Sequence, residues 1–200
     1  MDNYIKKENK GVKKNRIDKT VMQYLHDVVY LLCAVLILFL LVFRIVIVSG
    51  PSMMDTLVDG DYVLLLNNVL SGEPEHGDIV VISKSDYSNG EPIVKRVIAT
   101  AGETVDIDFE AGIVYVNGQA LDEPYTRTPT NLKEGTQFPL TVPENCIFVM
   151  GDNRNKSLDS RSTQIGIVDC REVLGEAIFL VLPGTDGGNV PMDFDRFGGI

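Results

Sequence analysis

The stretch Val48-Ser49-Gly50-Pro51-Ser52-Met53-Met54-Asp55-Thr56-Leu57 directly follows the longest apolar segment of the chain. Ser52 lies four residues beyond the last residue of that segment, Val48, and the next charged side chain is Asp55. We interpret Ser52 as a candidate nucleophile held at a membrane surface, a role in which a serine needs an adjacent base to become reactive. The remaining sequence is therefore expected to supply an anchor, a base and a groove for a substrate.

The apolar segment before this stretch has the length of a membrane span. Sixteen residues from Val28 to Phe43 carry no charge, Arg44 interrupts, and four apolar residues follow up to Val48. As a helix, residues 28–48 would span about 31 Å, close to the thickness of a hydrocarbon core. Arg44 would lie near one end, where its long side chain can reach the interface. The sequence thus predicts one transmembrane helix over residues 28–48.

The charges on either side of the span predict its orientation. Residues 1–19 contain seven Lys or Arg and three acidic residues, whereas no Lys or Arg lies between Arg44 and Lys84. An excess of basic residues marks the cytoplasmic side of a span. We therefore expect a single-pass protein of the cell membrane, with residues 1–27 as a basic cytoplasmic tail and residues 49–200 as an extracytoplasmic domain.

A cleavable signal peptide is the alternative interpretation of the same segment. Val48 and Gly50 have the spacing of a small-residue cleavage site. The apolar run is longer than the core of a typical signal peptide, however, and Pro51 would follow the cut with a fixed φ and no N–H. The sequence therefore favours an anchor that is not removed.

Residues 49–200 have the pattern of a β domain. Short apolar or alternating runs recur, separated by turn signals such as Asn89-Gly90 and Asn117-Gly118. The run from Ile113 to Leu121 predicts a hairpin with a primed two-residue turn at Asn117-Gly118. Residues 122–144 are rich in Pro and Thr and are expected to form a surface excursion. The pattern predicts a mainly β, antiparallel domain with a folded-sheet or barrel-like architecture. The predicted strands are Tyr62–Leu66, Ile79–Ser83, Ile93–Ala99, Val105–Phe109, Ile113–Val116, Cys146–Met150 and Ala177–Leu182.

Charge and histidine content argue against several classes of function. The formal net charge is −10, the opposite of the basic surface with which proteins bind nucleic acid. His26 and His76 are the only histidines, and His26 precedes the apolar segment. A Ser-His-Asp triad or a histidine-based metal site is therefore poorly supplied.

The three cysteines, Cys33, Cys146 and Cys170, lack the spacing of a metal site or a redox motif. We interpret them as free thiols. The alternative is a disulfide between Cys146 and Cys170, which an extracytoplasmic location would permit. A sortase-like transpeptidase that uses Cys170 fits poorly, because both histidines are badly placed to partner that thiol.

Lys95 is the candidate base for a serine that has no usable histidine. It lies in the otherwise apolar run Pro92–Ile98 and is followed by Arg96, and neighbouring residues of a strand point to opposite faces. One of the two can therefore enter a buried site, where desolvation lowers the pKa of a lysine enough for it to accept a proton. The alternative interpretation is a pair of charges on an exposed edge strand.

A second polar cluster, Gly151 to Arg161, follows the apolar strand that ends at Met150. Its density of Asp, Asn, Ser and Arg is typical of a solvated loop. The alternative is a loop whose charges pair with one another to form the floor of a site. Asp159 and Arg161 are two residues apart, close enough to hold such a loop by a mutual ion pair.

Three stretches together resemble the bacterial type I signal peptidases, in particular the Gram-positive type. These are membrane-bound Ser-Lys leader peptidases that remove signal peptides from exported proteins. The order of the stretches, the preceding membrane span and the terminal Arg196-Phe197-Gly198-Gly199 agree with the family as well. The matching stretches are Gly50 to Leu57 with Asp59-Gly60-Asp61, Gly77 to Val81 with Val94 to Ile98, and Gly151 to Arg161.

The resemblance implies a role for each matching position. Ser52 would be the nucleophile and Lys95 the general base, with the Ser157 hydroxyl orienting the lysine. The oxyanion would be bound by the N–H of Ser52 and by a donor at Gly50, which has no side-chain hydroxyl to offer. The implied supporting pairs are Asp152 with Arg96 and Asp159 with Arg161.

The resemblance also implies a substrate, partners and a cleavage specificity. Signal peptides of secreted preproteins would be cut after small residues in an Ala-x-Ala pattern, beside the secretion translocon and membrane lipid, with no metal or cofactor. A membrane-tethered β domain that binds exported proteins without cleaving them is the alternative. The implied pocket residues are Val48, Met53, Leu57, Val63, Ile93 and Val94.

Overall fold

The computed structural model describes residues 2–85, 87, 90–189 and 191–200, with side chains described from Thr20 onward. Asn89 of the predicted Asn89-Gly90 turn and Asp86 of the same loop lie outside the described residues. The chain divides into a helical unit that ends at Val42 and a second unit that runs from Phe43 to Ile200.

The first unit is one helix, α1, from Asp2 to Val42. Its part Thr20–Val42 contains 23 residues with a mean hydropathy of 2.6, long and apolar enough to cross a membrane. A signal sequence near an N-terminus meets the same criterion.

The helix ends six residues before the predicted end at Val48, and Phe43–Ile47 forms a strand, β1. Ile45, Val46 and Ile47 are β-branched, which favours strand over helix. They also have a partner strand, because Ile45 lies opposite Leu64 and Ile47 opposite Tyr62. Pairing of the backbone therefore overrides the continuous apolar pattern that suggested a helix.

The larger sheet has eight strands in the described residues, in the order β1-β2-β11-β3-β4-β9-β10, with β12 added to β11. All of its neighbouring strands are antiparallel, as predicted. Its further elements are β2 Tyr62–Asn67, α2 Asn68–Ser71, β3 Ile79–Ile82, β4 Ile93–Ala99, β9 Cys146–Met150, β10 Val168–Asp169, β11 Val173–Leu182 and β12 Gly198–Gly199.

A second, four-stranded antiparallel sheet in the described residues has the order β7-β6-β5-β8. The hairpin predicted around Asn117-Gly118 is confirmed: both residues have positive φ, 53° and 78°, as the primed two-residue turn requires. The excursion predicted for residues 122–144 is irregular apart from the short β8. The strands are β5 Thr104–Asp108, β6 Ile113–Val116, β7 Gln119–Ala120 and β8 Leu140–Thr141.

The core holds β4 in place from both faces of the large sheet. Every residue of β3 is buried, and its side chains alternate between two apolar clusters. β4 pairs with β3 in a register that places Val80 opposite Lys95. The strand that carries the candidate base is therefore a central strand, so the alternative of an exposed edge pair is wrong.

The cysteines Cys33, Cys146 and Cys170 are free. Cys146 packs with the cluster that contains Phe148, whereas Cys170 packs with the cluster that contains Ile147. Both thiols nevertheless line the same surface pocket, and no disulfide joins them. Burial raises the pKa of the Cys170 thiol, so it lacks the thiolate character of a nucleophile.

Candidate active site

Ser52 and Lys95 are 43 residues apart in the chain and in contact in the structure. The distance from Lys95 Nζ to Ser52 Oγ is 2.9 Å. Ser52 lies on a tight turn closed by the hydrogen bond from the Met54 N–H to the Pro51 carbonyl (3.3 Å). Lys95 projects from β4, and its side chain is buried while the serine stays partly open to solvent. A nucleophile and a base within hydrogen-bond reach are the minimum that acyl transfer requires.

The surroundings of Lys95 favour its neutral form. Burial lowers the pKa of its ammonium group to about 8, and the negative charges of Asp159 and Asp152 offset part of that effect. Nζ also donates a hydrogen bond of 2.9 Å to the Val94 carbonyl. With this pKa, a sizeable fraction of the lysine is neutral near and above pH 8, and in that form it can accept the serine proton.

Asp152 and Arg96 form the pair that the resemblance implied. The Arg96 guanidinium donates from Nε and Nη2 to the two oxygens of Asp152, at 2.9 and 2.7 Å. Thr56 Oγ1 donates to the same carboxylate at 2.5 Å. Because Arg96 follows Lys95 and Thr56 lies four residues after Ser52, Asp152 connects the segments that carry both members of the dyad.

Most of the loop from Gly151 to Arg161 is buried, and only Asn155 and Lys156 in it are exposed, so its interpretation as a solvated loop is wrong. Asp159 and Arg161 are both fully buried and form a two-bond ion pair at 2.8 Å for each bond. Asp159 also accepts from the Gly151 N–H, and Arg161 donates to the Arg154 carbonyl. The charges therefore neutralise one another and satisfy the backbone of the loop, the condition under which buried charges are tolerated.

Asn153 attaches this loop directly to the serine turn, residues 50–61. Its backbone N–H donates to the Ser52 carbonyl at 2.9 Å, and its side-chain amide donates to the Pro51 carbonyl at 3.0 Å. The approach is tight, because a Cβ at Gly151 would lie 2.5 Å from the Ser52 carbonyl oxygen. The loop thereby sets the height of Ser52 above the sheet.

Ser157 lies beside the serine turn but does not form the hydrogen bond to Lys95 that the resemblance implied. Its side chain is buried beside Gly151, whose Cβ would lie 2.3 Å from Ser157 Oγ. Among the described residues, Ser157 Oγ has no hydrogen-bond partner, and Lys95 is oriented instead by Ser52 and the Val94 carbonyl.

Gly50 does not offer its N–H to an oxyanion. That N–H donates to Asp59 Oδ1 at 2.8 Å, and Gly50 has the positive φ of 86°. The prediction of an oxyanion donor at Gly50 is therefore wrong for its backbone N–H, because that N–H already donates to the Asp59 carboxylate. The N–H of Ser52 has no partner in the described part of the chain.

A cleft of about 190 Å³ opens beside Ser52 and Lys95. Of the six predicted pocket residues, Ile93 and Val94 line it. The other four, Val48, Met53, Leu57 and Val63, pack in the apolar cluster beneath and are almost completely buried. Seven further residues of the cleft were not predicted: Val46, Ile47, Ser49, Pro51, Tyr87, Pro92 and Leu158.

The excursion of residues 122–144 supplies further groups that the sequence did not predict. Arg154 is buried and donates to Glu123 and to Thr130 Oγ1. The Tyr125 ring lies 4.0 Å from the Arg96 guanidinium, a cation–π contact that covers the ion pair with Asp152. Loop-like composition predicted a surface excursion but could not show which surface it covers.

Glu134 is a further acidic group close to the site. Its Oε2 atom is buried and has no hydrogen-bond partner among the described residues. Burial raises the pKa of its carboxyl, and the neighbouring charge of Asp159 acts in the same direction. Little in the sequence indicated a buried carboxylate here, because Glu134 precedes a glycine in a segment that has the composition of a loop.

Comparison with known proteins places this geometry in a family. The model of the family described as "Signal peptidase, peptidase S26" matches residues 21–182. The chain belongs to this family. It is thus a peptidase, a hydrolase of the serine protease class, which confirms the resemblance seen in the three motifs.

Individual relatives agree with that assignment. A signal peptidase I from Bacillus caldolyticus is 39% identical over 168 residues, which cover 76% of this chain and 86% of the relative. One from Bacillus licheniformis is 38% identical over 147 residues, 68% of this chain and 75% of the relative. Signal peptidase I S of Bacillus subtilis is 31% identical over 174 residues, 82% and 91% of the two chains. A crystal structure of a signal peptidase I from Enterococcus faecalis, 32% identical, covers 52% of this chain and 97% of its own at a TM-score of 0.44.

Proposed function

We propose that this signal peptidase cleaves N-terminal signal peptides from exported preproteins with Ser52 as nucleophile and Lys95 as general base. The observation that supports this most directly is the 2.9 Å contact between Lys95 Nζ and Ser52 Oγ. In the first step, neutral Lys95 takes the proton of Ser52 while Oγ attacks the carbonyl carbon of the scissile bond. The lysine then donates that proton to the leaving amine, and it activates the water that hydrolyses the acyl-enzyme.

The groups around the dyad have distinct roles in this proposal. The ion pair of Arg96 with Asp152 joins β4 to the Gly151–Arg161 loop, and the buried pair of Arg161 with Asp159 fixes the loop itself. The unpaired N–H of Ser52 is one donor to the oxyanion of the tetrahedral intermediate. We assign Ser157 the role of orienting Lys95, because its buried hydroxyl has no other hydrogen-bond partner among the described residues.

The alternative function is a membrane-tethered β domain that binds exported proteins without cleaving them. It requires that Ser52 and Lys95 have no catalytic role. A lysine buried to 3% exposure against a serine hydroxyl argues against it. Burial of an ammonium group costs free energy, and a surface that only binds proteins gains nothing from a buried lysine. The two functions are separated by mass spectrometry of a preprotein incubated with the full chain in detergent, because only the peptidase releases a new N-terminus.

The activity is expected to rise with pH through the ionisation of Lys95. The pKa of Lys95 is lowered to about 8, so the neutral base is lost as the pH falls below that value. We expect kcat/KM to fall about tenfold for each pH unit below 8, and about 100-fold from its plateau by pH 6. A profile that is flat from pH 6 to pH 9 would contradict a lysine base.

We further propose specificity for small residues, in an Ala-x-Ala pattern before the cut. The cleft beside the dyad is small, and Ile93 and Val94 narrow it. Replacing the alanine immediately before the cut by leucine is expected to lower kcat/KM by about 100-fold, because the pocket cannot expand without disturbing β4. The same replacement at the middle position is the control and should change kcat/KM little. Equal losses at both positions would contradict the pocket.

The proposed function includes a location at the cell membrane. We propose that the apolar helix within Thr20–Val42 anchors the enzyme, with the basic N-terminal segment in the cytoplasm and the β domain outside. Membrane lipid and the secretion translocon would then be its neighbours, since signal peptides emerge there.

A further inference from the structure

The C-terminal segment, residues 193–200, contacts the serine turn, residues 50–61. Arg196 donates from Nη1 and Nη2 to the two oxygens of Asp61, at 3.1 and 2.6 Å. Its Nη2 also donates to the Thr56 carbonyl at 3.1 Å. A single guanidinium thus binds two places in the second half of the serine turn, and its planar fork suits both contacts.

Asp61 makes this contact strong, because its side chain is fully buried while that of Arg196 is 22% exposed. The carboxylate also accepts from the N–H of Val58 at 2.8 Å and from that of Gly184 at 2.6 Å. All of its hydrogen-bonding positions are therefore engaged by protein. Without Arg196, a buried carboxylate would lose its only cationic partner among the described residues, a costly arrangement.

The contacts continue from Arg196 through Thr56 to the Asp152–Arg96 pair beside the dyad. Thr56, whose carbonyl accepts from Arg196, donates its hydroxyl to Asp152 at 2.5 Å. Asp152 in turn binds Arg96, which directly follows Lys95 in β4. The serine turn is thereby held between the C-terminal segment on one side and the Asp152–Arg96 pair on the other.

The C-terminal segment is itself fixed to the large sheet. β12 pairs antiparallel with β11, and the Phe197 ring lies edge-on against Phe179, with 4.9 Å between the ring centroids. Arg196 directly precedes this anchor. Most of its neighbours in the segment are exposed, so the contacts with the turn are made chiefly by this one side chain.

We propose that Arg196 is a positioning residue that fixes the serine turn and so keeps Ser52 Oγ within hydrogen-bond distance of Lys95 Nζ. It touches neither the reacting atoms nor the cleft beside the dyad. This inference rests on the proposed Ser52–Lys95 dyad. It assigns a function in the reaction to the terminal Arg-Phe-Gly-Gly motif, which the dyad alone leaves without one.

The test separates kcat from KM in the full chain with Arg196→Ala and Arg196→Lys. We expect Arg196→Ala to lower kcat by about 10- to 100-fold with little change in KM, because a small displacement of a nucleophile is costly and the cleft is untouched. Arg196→Lys keeps the charge but loses the fork, and we expect it to recover kcat only in part. Guanidinium ion at millimolar concentration should restore part of the activity of Arg196→Ala.

Two controls distinguish positioning from a general loss of stability. Arg171→Ala removes an arginine from an exposed pair with Asp169 and should keep the wild-type kcat. Val114→Ala opens a cavity in the second sheet, where Val114 is fully buried. Its kcat per folded molecule should stay near that of the wild type even where its stability matches that of the Arg196 variants.

The outcomes are distinct. A wild-type kcat per folded molecule in Arg196→Lys and Arg196→Ala would overturn the positioning role, and so would an equal loss of kcat in Val114→Ala. If Arg196→Ala does not fold, the kcat of Arg196→Lys decides. Full activity of Ser52→Ala would instead overturn the dyad itself, so failure of the proposed function is recognised independently of Arg196.

Discussion

Replacement of Lys95 by alanine is expected to lower kcat/KM for preprotein cleavage by about 10³-fold or more, because the proton of Ser52 then has no acceptor. Ser52→Ala should cause a loss of the same size. The double variant should be no worse than either single one, since residues that act as a unit are not additive. Mass spectrometry of a preprotein incubated with each purified full-length variant measures the effect.

Two further variants at this position separate chemistry from folding. Lys95→Arg should not restore activity, because a guanidinium remains protonated at any usable pH. Lys95→Met should be inactive yet more stable: with a lysine pKa of about 8, the charged ammonium costs the folded state about 3 kcal/mol at neutral pH. This cost is present below pH 8 and is lost as the pH rises toward the pKa of an unfolded lysine. Normal processing by Lys95→Ala would rule out the mechanism.

Arg161→Ala is expected to have the largest effect on stability, a loss of about 3–5 kcal/mol in the free energy of unfolding. The reason is that the fully buried carboxylate of Asp159 would lose its ion-pair partner. Denaturant unfolding of the full chain in detergent, followed by circular dichroism of the β domain, measures the loss.

The chain contains a matched control for this prediction. Asp169 and Arg171 have the same two-residue spacing and the same paired geometry, but the Arg171 side chain is 89% exposed. Solvent screens that pair, so Arg171→Ala should leave the unfolding curve unchanged within error. Similar curves for Arg161→Ala and Arg171→Ala would show that burial does not decide the strength of such pairs here.

Local patterns in the sequence predicted most of the strands. Ile93–Ala99, Ile113–Val116 and Cys146–Met150 have the predicted bounds, and the Asn117-Gly118 hairpin has the predicted turn. Side-chain alternation and turn residues act over a few positions, so they can be recognised without the fold. Phe43–Ile47 was missed because an apolar β-branched run looks the same at the end of a helix and in a paired strand; its partner lies about twenty residues later in the chain.

The site was predicted unevenly for a related reason. Ser52, Lys95, Asp152 and the Asp159–Arg161 pair were found from motifs, and the structure brings them together. The hydrogen bond from Gly50 to Asp59 was not predicted, because nothing in the residue types shows which partner a backbone N–H will choose. The contacts of Arg196, Tyr125 and Asn153 depend on segments that are far apart in the chain.

The serine stretch at the end of the apolar segment was recognisable from the sequence by itself, as were the β character of the domain and the lysine that could serve as a base. These features depend on residue type and short-range spacing. Only the tertiary structure decided that Lys95 is buried, that its pKa falls, and that its Nζ meets Ser52 Oγ at 2.9 Å. The physical reason is that desolvation and hydrogen-bond geometry arise when β4, the serine turn and the Gly151–Arg161 loop pack together, and no one of these segments contains that information.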